Sequence, residues 1–79
     1  METYLIMVNN RGSYYPYSRE VDRLEALRLC KELNEGAGEG CDFFVVRTTD
    51  GMTWVYYNGG IYRFINHTEG EIRYKEVAI

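Results

Sequence analysis

The stretch FFVVRTTDGMTWVYY, residues 43–57, predicts the fold most directly. Two runs of aromatic and β-branched residues, which favour strands, flank a short polar segment. Asp50-Gly51 within that segment is typical of a two-residue hairpin turn. With this turn as the loop, the predicted cross-strand pairs are Arg47 with Trp54, Val46 with Val55, and Val45 with Tyr56.

Further strand patterns lie on both sides of this hairpin. Strands are predicted at residues 3–8, 13–17, 41–48, 52–57, 60–66 and 71–77. Residues 3–8 are apolar on both faces, which indicates a central strand, whereas Pro16 lacks a ladder donor and indicates an edge strand. Either Asn58-Gly59 or Gly59-Gly60 forms the tip of the next hairpin, and a looser turn passes through Gly70.

A helix is predicted between the second and third strands. Asp22 and Glu25 have the spacing of a capping box at its start, and Gly36 is expected to stop it in the left-handed conformation. The apolar stripe of this helix consists of Leu24, Ala26, Leu27, Leu29, Cys30 and Leu33.

These elements predict an α+β fold in one domain, residues 1–79. One α-helix packs on an antiparallel sheet of four to six strands, in the order β-β-α-β-β-β-β. We expect Leu27, Cys30 and Leu33 to pack against the face that carries Phe44, Val46, Thr48, Val55, Tyr57, Tyr62 and Phe64. The opposite face, with Phe43, Val45, Arg47, Trp54, Tyr56 and Arg63, is then expected to remain without a helix.

Charge, apolar runs and residue spacing exclude several classes of function from the expectation. The net charge is −3 without a basic stripe, which disfavours binding to duplex nucleic acid. Apolar runs are too short to span a membrane and the N-terminus lacks a signal-peptide pattern, so a cytoplasmic protein is expected. Cys30, Cys41 and His67 lack the spacing of metal ligands, and no catalytic motif is present. We therefore expect no metal, no cofactor and no enzymatic activity.

Arg47, Trp54, Tyr56 and Arg63 are candidate partner-binding residues, because exposed aromatic and arginine side chains are enriched at binding hot spots. An alternative is that these side chains stack across strands and only protect a sheet face that meets water.

A second candidate surface contains Tyr14, Tyr15 and Tyr17, three of the eight tyrosines, around Pro16. Tyrosine is favoured where a ring is packed and its hydroxyl stays hydrated, so these residues are also predicted to contact a partner. The alternative is a half-buried edge strand.

The order of elements resembles that of small phage-encoded inhibitors, including some type I anti-CRISPR proteins. The resemblance is carried by residues 3–8, by the helix from Asp22 to Leu33 and by residues 45–57, and it extends over residues 3–65 in layout. It implies a stoichiometric protein that occupies a surface of a larger machine, commonly a nucleic-acid-processing complex.

The leading hypothesis is therefore a non-enzymatic protein-binding module that acts as an inhibitor or adaptor. One alternative is a domain that binds single-stranded nucleic acid, because bases can stack on Trp54 and Tyr56. The other is a structural homodimer that hides its own aromatic sheet face.

Overall fold

The secondary structure follows the predicted order. The computed structural model describes residues 2–57, 59–66 and 71–76, which contain one helix and six strands. The elements are β1 (Tyr4–Asn10), β2 (Ser13–Pro16), α1 (Arg23–Gly36), β3 (Cys41–Arg47), β4 (Thr53–Tyr57), β5 (Gly60–Asn66) and β6 (Glu71–Glu76). This confirms the α+β class. His67, Gly70 and the end of the last predicted strand at Val77 lie outside the described residues, as does Asn58 in the second hairpin.

The strands form one antiparallel sheet in the order β2-β1-β3-β4-β5-β6. As predicted, β1 is central, and β2 with Pro16 is an edge strand. β2 and β3 both pair antiparallel with β1, so they run parallel to each other on its two sides. α1 connects these two parallel strands and packs on one face of the sheet.

The start of α1 agrees with the predicted cap, whereas its end does not. The Asp22 carboxylate accepts a hydrogen bond from the Glu25 amide at 2.8 Å. Gly36 is the last helical residue and does not adopt a left-handed conformation; the chain leaves the helix through extended backbone at Ala37, with φ −77°. The prediction for Gly36 is therefore wrong.

Asn34 joins the end of the helix to the sheet. Its side-chain amide donates to the Phe43 carbonyl at 2.9 Å, and its side-chain oxygen accepts from the Phe43 amide at 3.0 Å. The same amide also donates to the Cys30 carbonyl at 2.8 Å. These bonds satisfy polar groups near the last turn, so a left-handed glycine is not needed there.

The helix packs on the face opposite to the predicted one. Ala26, Leu27 and Cys30 are fully buried, while Leu33 is only half-buried at the margin. Their partners in the core are Tyr4, Ile6, Val45, Trp54 and Ile61. The expected packing of the helix against Phe44, Val46 and Val55 is therefore wrong, although the grouping of residues into two faces is right.

The β3–β4 hairpin also has a different register. Val45 lies opposite Trp54, a shift of two residues from the predicted pairing. The loop is longer than two residues because the Arg47 amide donates to the Met52 carbonyl and the Gly51 amide donates to the Arg47 carbonyl, each at 2.8 Å. A shift by two leaves the alternation of side chains unchanged, so the same residues share a face as in the predicted pairing.

α1 contains 14 residues, too few to cross a bilayer. The described part of the chain contains no other helix.

Candidate functional site: the open sheet face

The sheet face opposite α1 is largely apolar, and none of the described elements packs over it. We call it the open sheet face. Its apolar and aromatic residues include Leu5, Met7, Tyr14, Phe44, Val46, Val55, Tyr57, Tyr62 and Phe64, and the polar residues Asn9, Asp42 and Thr53 lie on it as well.

Cross-strand pairing arranges these side chains in two rows. In an antiparallel sheet, residues directly opposite one another point to the same side. The first row runs across four strands through Met7, Phe44, Val55 and Tyr62. The second row runs through Leu5, Val46, Thr53 and Phe64. Because the rows are adjacent, the apolar surface is continuous across β1, β3, β4 and β5.

The two rows of the open sheet face are half-buried except for Thr53, which is buried, and two tyrosines beside the first row are more exposed. Tyr14 is 64% exposed and Tyr57 is 52% exposed. Each ring contacts an aromatic neighbour edge to face: the ring centroids of Tyr14 and Phe44 are 6.1 Å apart, and those of Tyr57 and Tyr62 are 6.0 Å apart. Edge contacts of this kind orient the rings in the free protein. A partner would therefore meet surfaces that are already ordered.

Strands β1 to β5 place little charge on the open sheet face. Strands β1 to β5 place no lysine or arginine on it, and Asp42, which lies opposite Asn9 at one end, is the carboxylate that these strands contribute. Arg47 and Arg63, the basic residues of these strands, are on the other side of the sheet. In β6, Lys75 stands at the register position opposite Tyr62. One lysine at the edge strand does not form the concentrated positive charge with which proteins bind phosphate backbones.

The predicted site around Trp54 lies beneath the helix. Trp54 is only 3% exposed, and its ring makes an edge contact with Tyr4 at a centroid distance of 5.6 Å. Arg47, Trp54, Tyr56 and Arg63 do share one face, as predicted. That face is the one that α1 covers, so the prediction that these residues form an open contact surface is wrong.

Arg47 stabilises the turn between β3 and β4. Its guanidinium donates to both carboxylate oxygens of Asp50, at 3.0 and 2.5 Å, and lies 3.6 Å from the Glu2 carboxylate. The guanidinium carbon is also 5.8 Å from the ring centroid of Trp54. The hydrogen bonds from Arg47 and the Met52 amide lower the pKa of Asp50 to about 2. Arg47 is therefore engaged within the chain.

Tyr56 and Arg63 occupy the margins of the same covered face. Tyr56 is half-buried, and its hydroxyl donates to the Glu35 carboxylate at 3.4 Å, which links β4 to the end of α1. Burial, together with the negative charge of Glu35, raises the pKa of Tyr56. Arg63 is half-buried and lies directly opposite Trp54.

The tyrosines around Pro16 are exposed, but they divide between the two faces. Tyr14 belongs to the open sheet face, whereas Tyr15 lies opposite Val8 and is on the helix side. Tyr17 follows β2 on the helix side, where its ring contacts Phe43 at a centroid distance of 4.9 Å. Alternation along the edge strand therefore separates Tyr14 from the other two. Their role in partner binding stays a prediction.

The described residues offer little for metal or thiol chemistry. They contain no group of three or more histidine, cysteine or acidic side chains that could hold a metal ion. Both cysteines are free: Cys30 lies in the core, where burial raises its pKa to about 12, and Cys41 is half-buried at the start of β3. A thiol that stays protonated in the core is a poor nucleophile and a poor metal ligand.

Of the open sheet face, Phe44, Val46, Val55, Tyr57, Tyr62 and Phe64 were predicted to lie on the face that receives the helix, whereas Tyr14 was predicted to contact a partner. The missed signal was the spacing of Arg47 and Asp50, which allows the arginine to be paired within its own hairpin. An arginine with a local partner can lie at the margin of a covered face.

Comparisons of this chain with models of protein families, with curated proteins and with solved structures found no match.

Proposed function

We propose that this chain is a small protein-binding module, an inhibitor or adaptor, and that its contact surface is the open sheet face. The observation that carries the proposal is the continuous apolar surface formed by the two rows through Val55 and Val46 without a covering layer. A role of this kind requires occupation of a partner's surface and no catalytic group.

The physical basis is the cost of leaving apolar side chains in water. Monomeric proteins rarely expose contiguous apolar patches larger than a few hundred Å², and larger ones mark sites of interaction. Removal of apolar surface from water contributes about 25 cal/mol per Å². The aromatic rings add a preference for protein interfaces, where tyrosine and phenylalanine are enriched. Tyr14 and Tyr57 place exposed rings of this kind beside the row through Val55.

The chemistry of the open sheet face favours a protein over a single-stranded nucleic acid. Proteins that bind single strands combine stacking rings with a positively charged groove. Here Trp54 is buried and the basic side chains of β3 and β5 lie on the covered face. Rings are present on the open sheet face, but the cations that would hold the phosphates are not among its β1 to β5 residues.

We place this binding in the cytoplasm, where free thiols such as Cys30 and Cys41 stay reduced. The resemblance in element order to small phage-encoded inhibitors agrees with a stoichiometric role.

Site-specific photo-crosslinking in cells that express the chain tests the proposal. A photoreactive phenylalanine analogue at Val55, in the middle of the open sheet face, should give covalent adducts with protein after irradiation. The matched control places the same group at Leu24, which is 56% exposed on α1, on the other side of the sheet.

Adducts from the Val55 position that are absent from the Leu24 position support the proposal. Equal yields from both positions, or none from Val55, would overturn it. Titration of a labelled oligothymidine at low salt tests the nucleic-acid alternative in parallel, and we expect no saturable binding.

A further inference from the structure

We draw no further inference here: the strongest candidate, a specific occupant for the open sheet face around Val55, carries none, because that face belongs to the site already described and nothing in the part of the chain that the structure describes shows what covers it.

Discussion

The two faces of the sheet have similar residue types but different surroundings. On the covered face, Ile6, Val45 and Ile61 are completely buried beneath α1. On the open sheet face, the opposite-pointing neighbours Met7, Phe44 and Val46 are only half-buried. A single helix can cover only one face of a sheet, so apolar composition alone does not identify the core. The comparison shows that the surface available for contact is the one without the tryptophan and the arginines.

Replacement of an aromatic residue on each face gives the largest contrast. We expect Trp54→Ala to lower the free energy of unfolding by about 3–5 kcal/mol, because it removes a buried ring and leaves a cavity. Tyr57→Ala, at the exposed end of the open sheet face, should cost less than about 1 kcal/mol. Urea unfolding at low protein concentration measures both, so that self-association does not contribute. Similar losses would show that the faces do not differ in burial.

The helix provides the next contrast, between two leucines on opposite sides of α1. Leu27 is fully buried and Leu24 is 56% exposed. Leu27→Ala should destabilise the protein by about 2–5 kcal/mol, and Leu24→Ala by no more than about 0.5 kcal/mol. Leu33→Ala, at the half-buried margin, should fall between them. A cost for Leu24→Ala as large as that for Leu27→Ala would mean that the helix presents a different side to the sheet.

The reactivities of the two cysteines provide a comparison between the core beneath α1 and the start of β3. Cys30 is buried with its pKa raised to about 12, and Cys41 is half-buried. Alkylation of Cys30 requires local opening, and an opening free energy of about 3 kcal/mol would slow it by roughly 100-fold. Mass spectrometry of native protein treated with iodoacetamide at pH 8 should show one modified thiol, Cys41, long before the second. Equal rates would contradict the burial of Cys30 under the helix.

The smallest expected effect is that of the ion pair between Arg47 and Asp50, at the margin of the covered face. Hydrogen bonds from Arg47 and from the Met52 amide lower the pKa of Asp50 from 3.8 to about 2. Because the folded-state pKa is the lower one, the ionised carboxylate stabilises the fold above about pH 4, and this contribution is lost as the pH falls toward 2. We therefore expect the melting temperature of Asp50→Asn to fall less between pH 4 and pH 2 than that of the wild-type chain.

The same substitution in an Arg47→Met background is the control for the ion pair. There Asp50→Asn should lose most of its effect on the acid profile, because the principal hydrogen-bonding partner is gone. An unchanged effect would assign the pH dependence to other carboxylates.

The β3–β4 hairpin shows why part of the fold could be predicted and part could not. Alternation of side chains has a period of two, so a register that is wrong by two residues still groups Val45, Trp54 and Arg63 correctly. The loop length depends on side-chain bonds that the turn pattern does not show. The Asp50 carboxylate accepts from the Met52 amide at 3.0 Å as well as from Arg47, and Gly51 adopts a φ of 77°.

The element types, their order and the helix cap at Asp22 follow from the amino-acid sequence, because turn residues, strand alternation and capping act over only a few positions. The face that becomes the core depends on contacts far apart in the chain. α1 connects the parallel strands β2 and β3 with β1 between them, and such crossovers are strongly biased toward one hand. Once the strand order is set, this preference decides which face the helix covers. Both faces are apolar enough to accept α1, so only the tertiary structure decided that Trp54 is in the core and that Phe44 and Val55 lie on the open sheet face.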